Sequence, residues 1–417
     1  MQPVLRLALL TASLASFLSA SAETIHVRHG ITGAIRFALL RAVAGDTVVV
    51  GPGTYREGNL VIDKPIVLAG MGRPVLDGEH KVELITVTAD DVTITGFRLM
   101  NTAIGSMEDY AAIRVMGASR VLIENNEGTD NFFGFHFSKS TDCVVRGNLL
   151  VSHPGEASQR GNGIHLWKCS GFTIERNRVE GHRDGIYFEF VTNSVIRGNH
   201  SAGNLRYGLH FMFSNDDRYL DNRFIGNGAG VAVMYSTRVQ MTGNRFERNW
   251  GPSSYGLLLK DIRDSEVTDN RFDRNTAGIY MEGSSRMKFS RNEFQANGWA
   301  VRIQASCDDN AFERSNFIAN TFDVATNGSL VLNRFDGNFW DRYEGYDMDR
   351  DGRGDTPFHP MNFFSMVVER MPSMLMLWRS FFVQLLDRAE KAIPVLTPEA
   401  LRDDHPALSP YDLTGTD

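Results

Sequence analysis

Through the middle of the chain, glycines that open short apolar/polar alternations recur at nearly constant spacing. Gly134, Gly163, Gly185, Gly208, Gly230, Gly256 and Gly278 stand 29, 22, 23, 22, 26 and 22 residues apart. Two of the longer gaps hold loop-like insertions, His153-Pro154-Gly155-Glu156 and Trp250-Gly251-Pro252-Ser253. The first and third residues after each glycine are apolar, as in Phe135/Phe137, Ile186/Phe188, Val231/Val233 and Leu257/Leu259. Such period-two alternation makes one strand per repeat that buries those positions and turns the intervening ones outward. A second column, Asn199, Asn222, Asn244, Asn270 and Asn292, keeps step with the first, each with another asparagine five residues on. Stacked amides suit tight bends that repeat from turn to turn. Phe224, Phe246, Phe272 and Phe294 form a further ladder placed to stack inside. The unit is too short for a propeller blade of about 40 residues, and no leucine-rich frame recurs. The fold expected is all-β, a right-handed parallel β-helix.

Both ends depart from the repeat, as capping units of a solenoid do. Residues 31–44 read as an amphipathic helix over the first coil. Ahead of it, Arg6, an apolar stretch over 7–18 and Ala20-Ser21-Ala22 read as a secretory signal. The expected organisation is a signal at 1–22, the β-helix over 23–345, an acidic closing loop at 346–360 and a tail over 361–417. A net charge of −7 argues against a nucleic-acid partner. Cys143, Cys169 and Cys307 lack both disulfide and zinc spacing and are expected as buried core residues.

Equivalent outward positions on successive turns form columns about 4.8 Å per step. The first column reads His136, His165, Tyr187, His210, Ala232, Leu258, Tyr280, and the second reads Ser138, Trp167, Glu189, Met212, Met234, Lys260, Glu282. Imidazoles suit copper or zinc, and thioethers favour copper(I). His136, His165, His210, Met212 and Met234 are therefore the candidate copper ligands, facing solvent on one patch. Tyr187 stands between His165 and His210, so the five need not share an ion. A semi-apolar binding face without metal is the competing reading.

Asp347, Asp349, Asp351 and Asp355 open like a calcium loop, but Phe358 occupies the position of the bidentate glutamate. A structural Ca²⁺ and an ordinary acidic turn both fit. Beyond Phe363, Met371, Met374, Trp378, Phe381 and Phe382 belong to an apolar, charge-interrupted stretch that is not a membrane span. A helical tail docking on a partner is expected there, with packing back on the last coil as the alternative.

The segment Gly337-Asn338-Phe339-Trp340-Asp341-Arg342-Tyr343-Glu344-Gly345-Tyr346-Asp347-Met348-Asp349-Arg350-Asp351-Gly352-Arg353-Gly354-Asp355-Thr356-Pro357-Phe358 resembles the signature that closes the β-helix in the NosD family. The opening is similar too, with Ala34-Ile35, Gly45-Asp46-Thr47-Val48 and Pro52-Gly53-Thr54-Tyr55-Arg56-Glu57. The resemblance implies a periplasmic copper-handling accessory protein of nitrous oxide reductase. Its implied partners are an ABC transporter permease and ATPase, a copper donor lipoprotein and the reductase, with the tail after Phe363 directed to the permease. No catalytic residues are assigned. A polysaccharide lyase or epimerase is the enzymatic alternative, but Glu189 and Glu282 stand four turns apart, about 19 Å, too far for a glycosidase pair. A passive adhesin or scaffold is the third reading.

Overall fold

The computed structural model describes residues 22–413 apart from 106–107, 153–159, 329–331, 362, 379, 384 and 387–400. The expected signal at 1–22 thus lies outside the described residues except for Ala22. Each turn contributes short strands to three parallel sheets of 14, 12 and 13 strands, stacked into a β-solenoid. The glycine-headed strands form the 12-stranded sheet. Its inner column runs Phe135, Ile164, Ile186, Leu209, Val231, Leu257 and Ile279 in unbroken register. All of these side chains are buried.

The glycines are required by close approach between turns. A Cβ on Gly134 would stand 2.3 Å from the Gly163 carbonyl oxygen, and one on Gly230 would stand 2.3 Å from that of Gly256. The repeat visible in the sequence is therefore a steric condition for stacking one backbone on the next.

Inside the bends, amides are chained from turn to turn. The Asn199 backbone N–H and its Nδ2 donate to Asn222 Oδ1 at 2.9 and 3.0 Å. Asn222 Nδ2 in turn donates to the Ile196 carbonyl at 2.8 Å and to Asn244 Oδ1 at 3.0 Å. The same pattern continues through Asn270 to Asn292. A second chain links Asn204, Asn227, Asn249, Asn275, Asn297 and Asn320. These bonds satisfy polar backbone that the bends would otherwise leave buried and unpaired. Beside them, Phe246, Phe272 and Phe294 stack at 4.6 and 4.9 Å.

The helix Ala34–Arg41 lies against the first coil with Ile35, Ala38 and Leu39 buried. Glu57 accepts the backbone N–H groups of Ile35 and Arg36, and Lys64 donates to the carbonyls of Leu39, Leu40 and Ala42. Both helix ends are thus satisfied by charges from the following coil, each of the sign that the helix dipole favours. At the other end, the chain returns over 401–413 onto the motif 337–358. Buried Asp403 accepts N–H groups from Gly337, Asn338 and the Trp340 indole at 2.9, 2.8 and 3.0 Å. Tyr411 adds bonds to Asn316 and Gly337, and nothing in the spacing of the repeats announces this return, because its residues lie outside them.

Asn222→Ala removes the acceptor for two donors of Asn199 and leaves them buried. It is expected to destabilise the fold by about 2–4 kcal/mol, read as a lowered guanidinium midpoint, whereas exposed Gln240→Ala should change little.

Candidate metal centre

The outer face of the 12-stranded sheet carries the first column in the expected register, with Arg114 below it: Arg114, His136, His165, Tyr187, His210, Ala232 and Leu258. The second column holds Met212 opposite Met234, with Met116 two turns below Trp167. The expectation that the imidazoles face open water is corrected by their burial. His136 is 9% exposed and His210 4%. The cause is a third outward column, three residues before the first, that lays further rings against them. Phe133 packs at 5.9 Å from His136 and 5.6 Å from His165, and Tyr207 lies 4.7 Å from His210.

The rings form one edge-to-face ladder. His136–His165, His165–Tyr187 and Tyr187–His210 centroids are 4.8, 4.8 and 4.9 Å apart. Among the described residues, several of its buried polar atoms have no hydrogen-bond partner: His136 Nδ1, His165 Nε2 and both ring nitrogens of His210. On the other side of His165, Nδ1 meets Asn162 Nδ2 at 3.5 Å, and His210 Nδ1 stands 3.6 Å from Asp184 Oδ2. Asn162 is thus placed to hold the His165 ring as the outer groups around metal-bound histidines do, whereas Asp184 stands beyond hydrogen-bond distance of His210.

Asp109, from a loop outside the repeat, joins the lower pair. A carboxylate oxygen of Asp109 and a ring nitrogen each from His136 and His165 lie within 4.8 Å of one another. Burial lowers the His136 and His165 pKa values from 6.5 to about 4 and about 3, with the Arg114 charge adding to the effect on His136. At neutral pH both imidazoles are neutral and ready as nitrogen donors. Arg114 is itself paired with Glu83 at 2.6 Å.

Sequence reasoning missed Asp109, Asn162, Asp184 and the covering rings. Phe133, Asn162, Asp184 and Tyr207 each stand three residues ahead of a first-column member, so a constant offset could have found them. Asp109 had no such signal. His182 was also missed; it takes an asparagine position in the second inner chain, donating its backbone N–H to Asn204 Oδ1, and its ring is buried.

Of the acidic loop, Asp347, Asp349 and Asp355 bring carboxylate oxygens within 4.8 Å, without Asp351. The Asp347 carboxylate accepts N–H groups of its own turn, from Asp351 and Gly352. In the tail, helix Phe363–Arg370 packs on the last coil of the same 12-stranded sheet, with Phe364, Val368 and Val383 buried against Phe322. Met374 and Trp378 join this contact, whereas Met371, Phe381 and Phe382 are 56%, 78% and 51% exposed. Arg302, next in column above Tyr280, pairs with Glu369 at 2.7 Å and fixes the helix there. Glu189 and Glu282 are four strands apart, and Glu282 is paired with Lys260, so no close carboxylate pair forms between them.

Fold and face together define a parallel β-solenoid that carries a ladder of nitrogen and thioether donors. Its architecture is shared with the A-module of the mannuronan C-5 epimerase AlgE6 of Azotobacter vinelandii, at 17% identity, TM-score 0.60, over 73% of this chain and 93% of that one. It is shared too with the catalytic unit of a GH87 alpha-1,3-glucanase of Streptomyces thermodiastaticus, at 15% identity, TM-score 0.62, over 79% and 71%. The family model described as periplasmic copper-binding protein (NosD) matches residues 150–345. A probable ABC transporter binding protein NosD of Pseudomonas aeruginosa is 30% identical over 400 residues, covering 88% of this chain and 90% of that protein. Its namesake in Stutzerimonas stutzeri is 28% identical over 376 residues, covering 86% of each. The chain belongs to the NosD family. Among the described residues, no helix is long and apolar enough to cross a membrane.

The donor set fits the metal that the family description names: orphaned imidazole nitrogens are buried together, with thioethers on adjoining turns of the same face. Buried neutral imidazoles also set a pH dependence. Unfolded histidines gain protons near 6.5 and the folded ones only near 4 and 3, so stability is level above about 6.5 and falls as pH drops below it. The expected loss is ~2 kcal/mol per imidazole at about pH 5. His136→Gln with His165→Gln should flatten that fall in metal-free urea unfolding at a series of pH values; an unchanged slope contradicts the assignment.

Proposed function

We propose that this chain is a periplasmic copper-handling protein without catalytic activity, which works with an ABC transporter to supply copper, as Cu(I), for maturation of nitrous oxide reductase. The observation that carries the reading is the ladder on the outer face, where His136, His165 and His210 keep buried ring nitrogens without partners beside Met212 and Met234. Unpaired buried donors cost stability unless something satisfies them, and a soft cation does so. Copper is cargo here. The protein's part is to present imidazoles and thioethers, to exclude water with Phe133 and Tyr207, and to hold the His165 ring through Asn162. A copper donor lipoprotein is the proposed source of the ion.

Docking to the permease is assigned to Met371, Phe381 and Phe382, which remain exposed although Met374 and Trp378 pack inward. The P. aeruginosa and S. stutzeri relatives are named probable ABC transporter binding proteins, which supports such a partner. The acidic loop is proposed as a local turn that a Ca²⁺ ion can brace through Asp347, Asp349 and Asp355.

Two measurements test the reading. In competition with a chromophoric Cu(I) chelator, His165→Ala with Met212→Ala should weaken binding about tenfold or more; unchanged affinity refutes the ladder as the site. Separately, Phe381→Glu with Phe382→Glu should abolish capture of the permease by the mature protein while leaving Cu(I) affinity intact. Point changes are preferred to truncation because residues 401–413 close the solenoid through Asp403.

A further inference from the structure

The five imidazole and thioether donors cannot surround one ion. His165 and His210 are two strands apart in register, about 9.6 Å by strand spacing, with the Tyr187 ring wedged between them at 4.8 and 4.9 Å. Metal–nitrogen bonds are about 2.0–2.1 Å, so two ligand atoms of one ion are at most about 4.2 Å apart. Tyr187 does not bridge the gap as a ligand. Its ring stands edge-to-face between the two imidazoles and its hydroxyl donates to the Met212 sulfur at 3.7 Å.

Below Tyr187 the donors are of one kind and above it of another. Asp109, His136 and His165 offer one oxygen and two nitrogens within 4.8 Å, a separation that small side-chain shifts bring to bonding geometry. Such a set is borderline and suits a divalent ion. His136 Nδ1 and His165 Nε2 are both buried and without partners there. Asp109 is exposed, and it lines a cleft of about 720 Å³ with Glu83, Arg114 and Met116 that gives solvent access to this end. Above Tyr187, His210 and Met212 lie on one strand face and Met234 is the register partner of Met212. That set is soft.

We propose that the outer face holds two metal positions of different softness: a borderline one at Asp109, His136 and His165 that takes a divalent ion such as Zn²⁺ or Cu²⁺, and a soft one at His210, Met212 and Met234 for Cu⁺, separated by Tyr187. The soft position rests on the copper reading above, whereas the borderline one stands on its own geometry. No electron transfer between them is invoked.

The test titrates the mature protein with ZnCl₂ against a chromophoric zinc chelator and, anaerobically, with Cu⁺ against bicinchoninate. Asp109→Asn, at an exposed residue whose change leaves the core intact, should weaken Zn²⁺ binding about tenfold, and adding His136→Gln should abolish it. Asp109→Asn, a residue outside the Cu⁺ ladder, should leave Cu⁺ affinity within about threefold. Met212→Leu with Met234→Leu should show the converse. Equal weakening of both metals by either set, or Zn²⁺ binding indifferent to Asp109→Asn, overturns the two-position arrangement. Zn²⁺ binding that responds to Asp109→Asn in a protein with no measurable Cu⁺ affinity removes the soft position and the copper reading while the borderline position stands.

Discussion

The stacking of one turn on the next at strand spacing is the constraint from which the rest of this molecule follows. It requires glycine where the Gly134 and Gly163 backbones meet, because a side chain there would collide with the carbonyl of the next turn. It also requires buried bends to find hydrogen bonds, which the asparagine chains supply from one turn to another. The same translation that satisfies the interior is imposed on the exterior. Whatever side chain stands outward on one turn meets its counterpart about 4.8 Å away. A histidine that would be an isolated surface residue on another fold becomes, in His136 and His165, half of a pair.

Burial then gives the pair its chemistry. Phe133 packs on both rings and takes them out of water, which holds His136 and His165 neutral well below their usual titration range. A neutral, oriented imidazole with an unpaired nitrogen is a metal ligand that needs no deprotonation. Solenoids of similar fold, named as a mannuronan epimerase and an alpha-1,3-glucanase, share the stack at 17% and 15% identity. The outward columns of this chain carry imidazole and thioether, and Glu189 and Glu282 stand four strands apart in them.

The periodic part of the fold was legible because the physics that repeats also repeats in the sequence. Glycine spacing gave the strands, Asn199 to Asn292 gave the inner chain, and the residues two after each glycine gave the first outward column. The failures lie where periodicity ends. The burial of His136 depends on Phe133, which precedes the glycine from which the repeat was counted. Asp109 reaches the ladder from a loop, and Asp403 closes the stack from 63 residues beyond Trp340 in sequence. The contacts of Asp109 and Asp403 are set by tertiary geometry alone, and no spacing rule foretells them.

Anomalous diffraction at the copper absorption edge, from crystals of the mature protein loaded anaerobically with Cu⁺, tests the central claim most directly. The account predicts a copper peak on the outer face of the 12-stranded sheet, between the strands Phe133–Ser138 and Ala229–Met234. A peak confined to the acidic loop at 347–355 or to the tail, with the histidine and methionine columns empty, would contradict it.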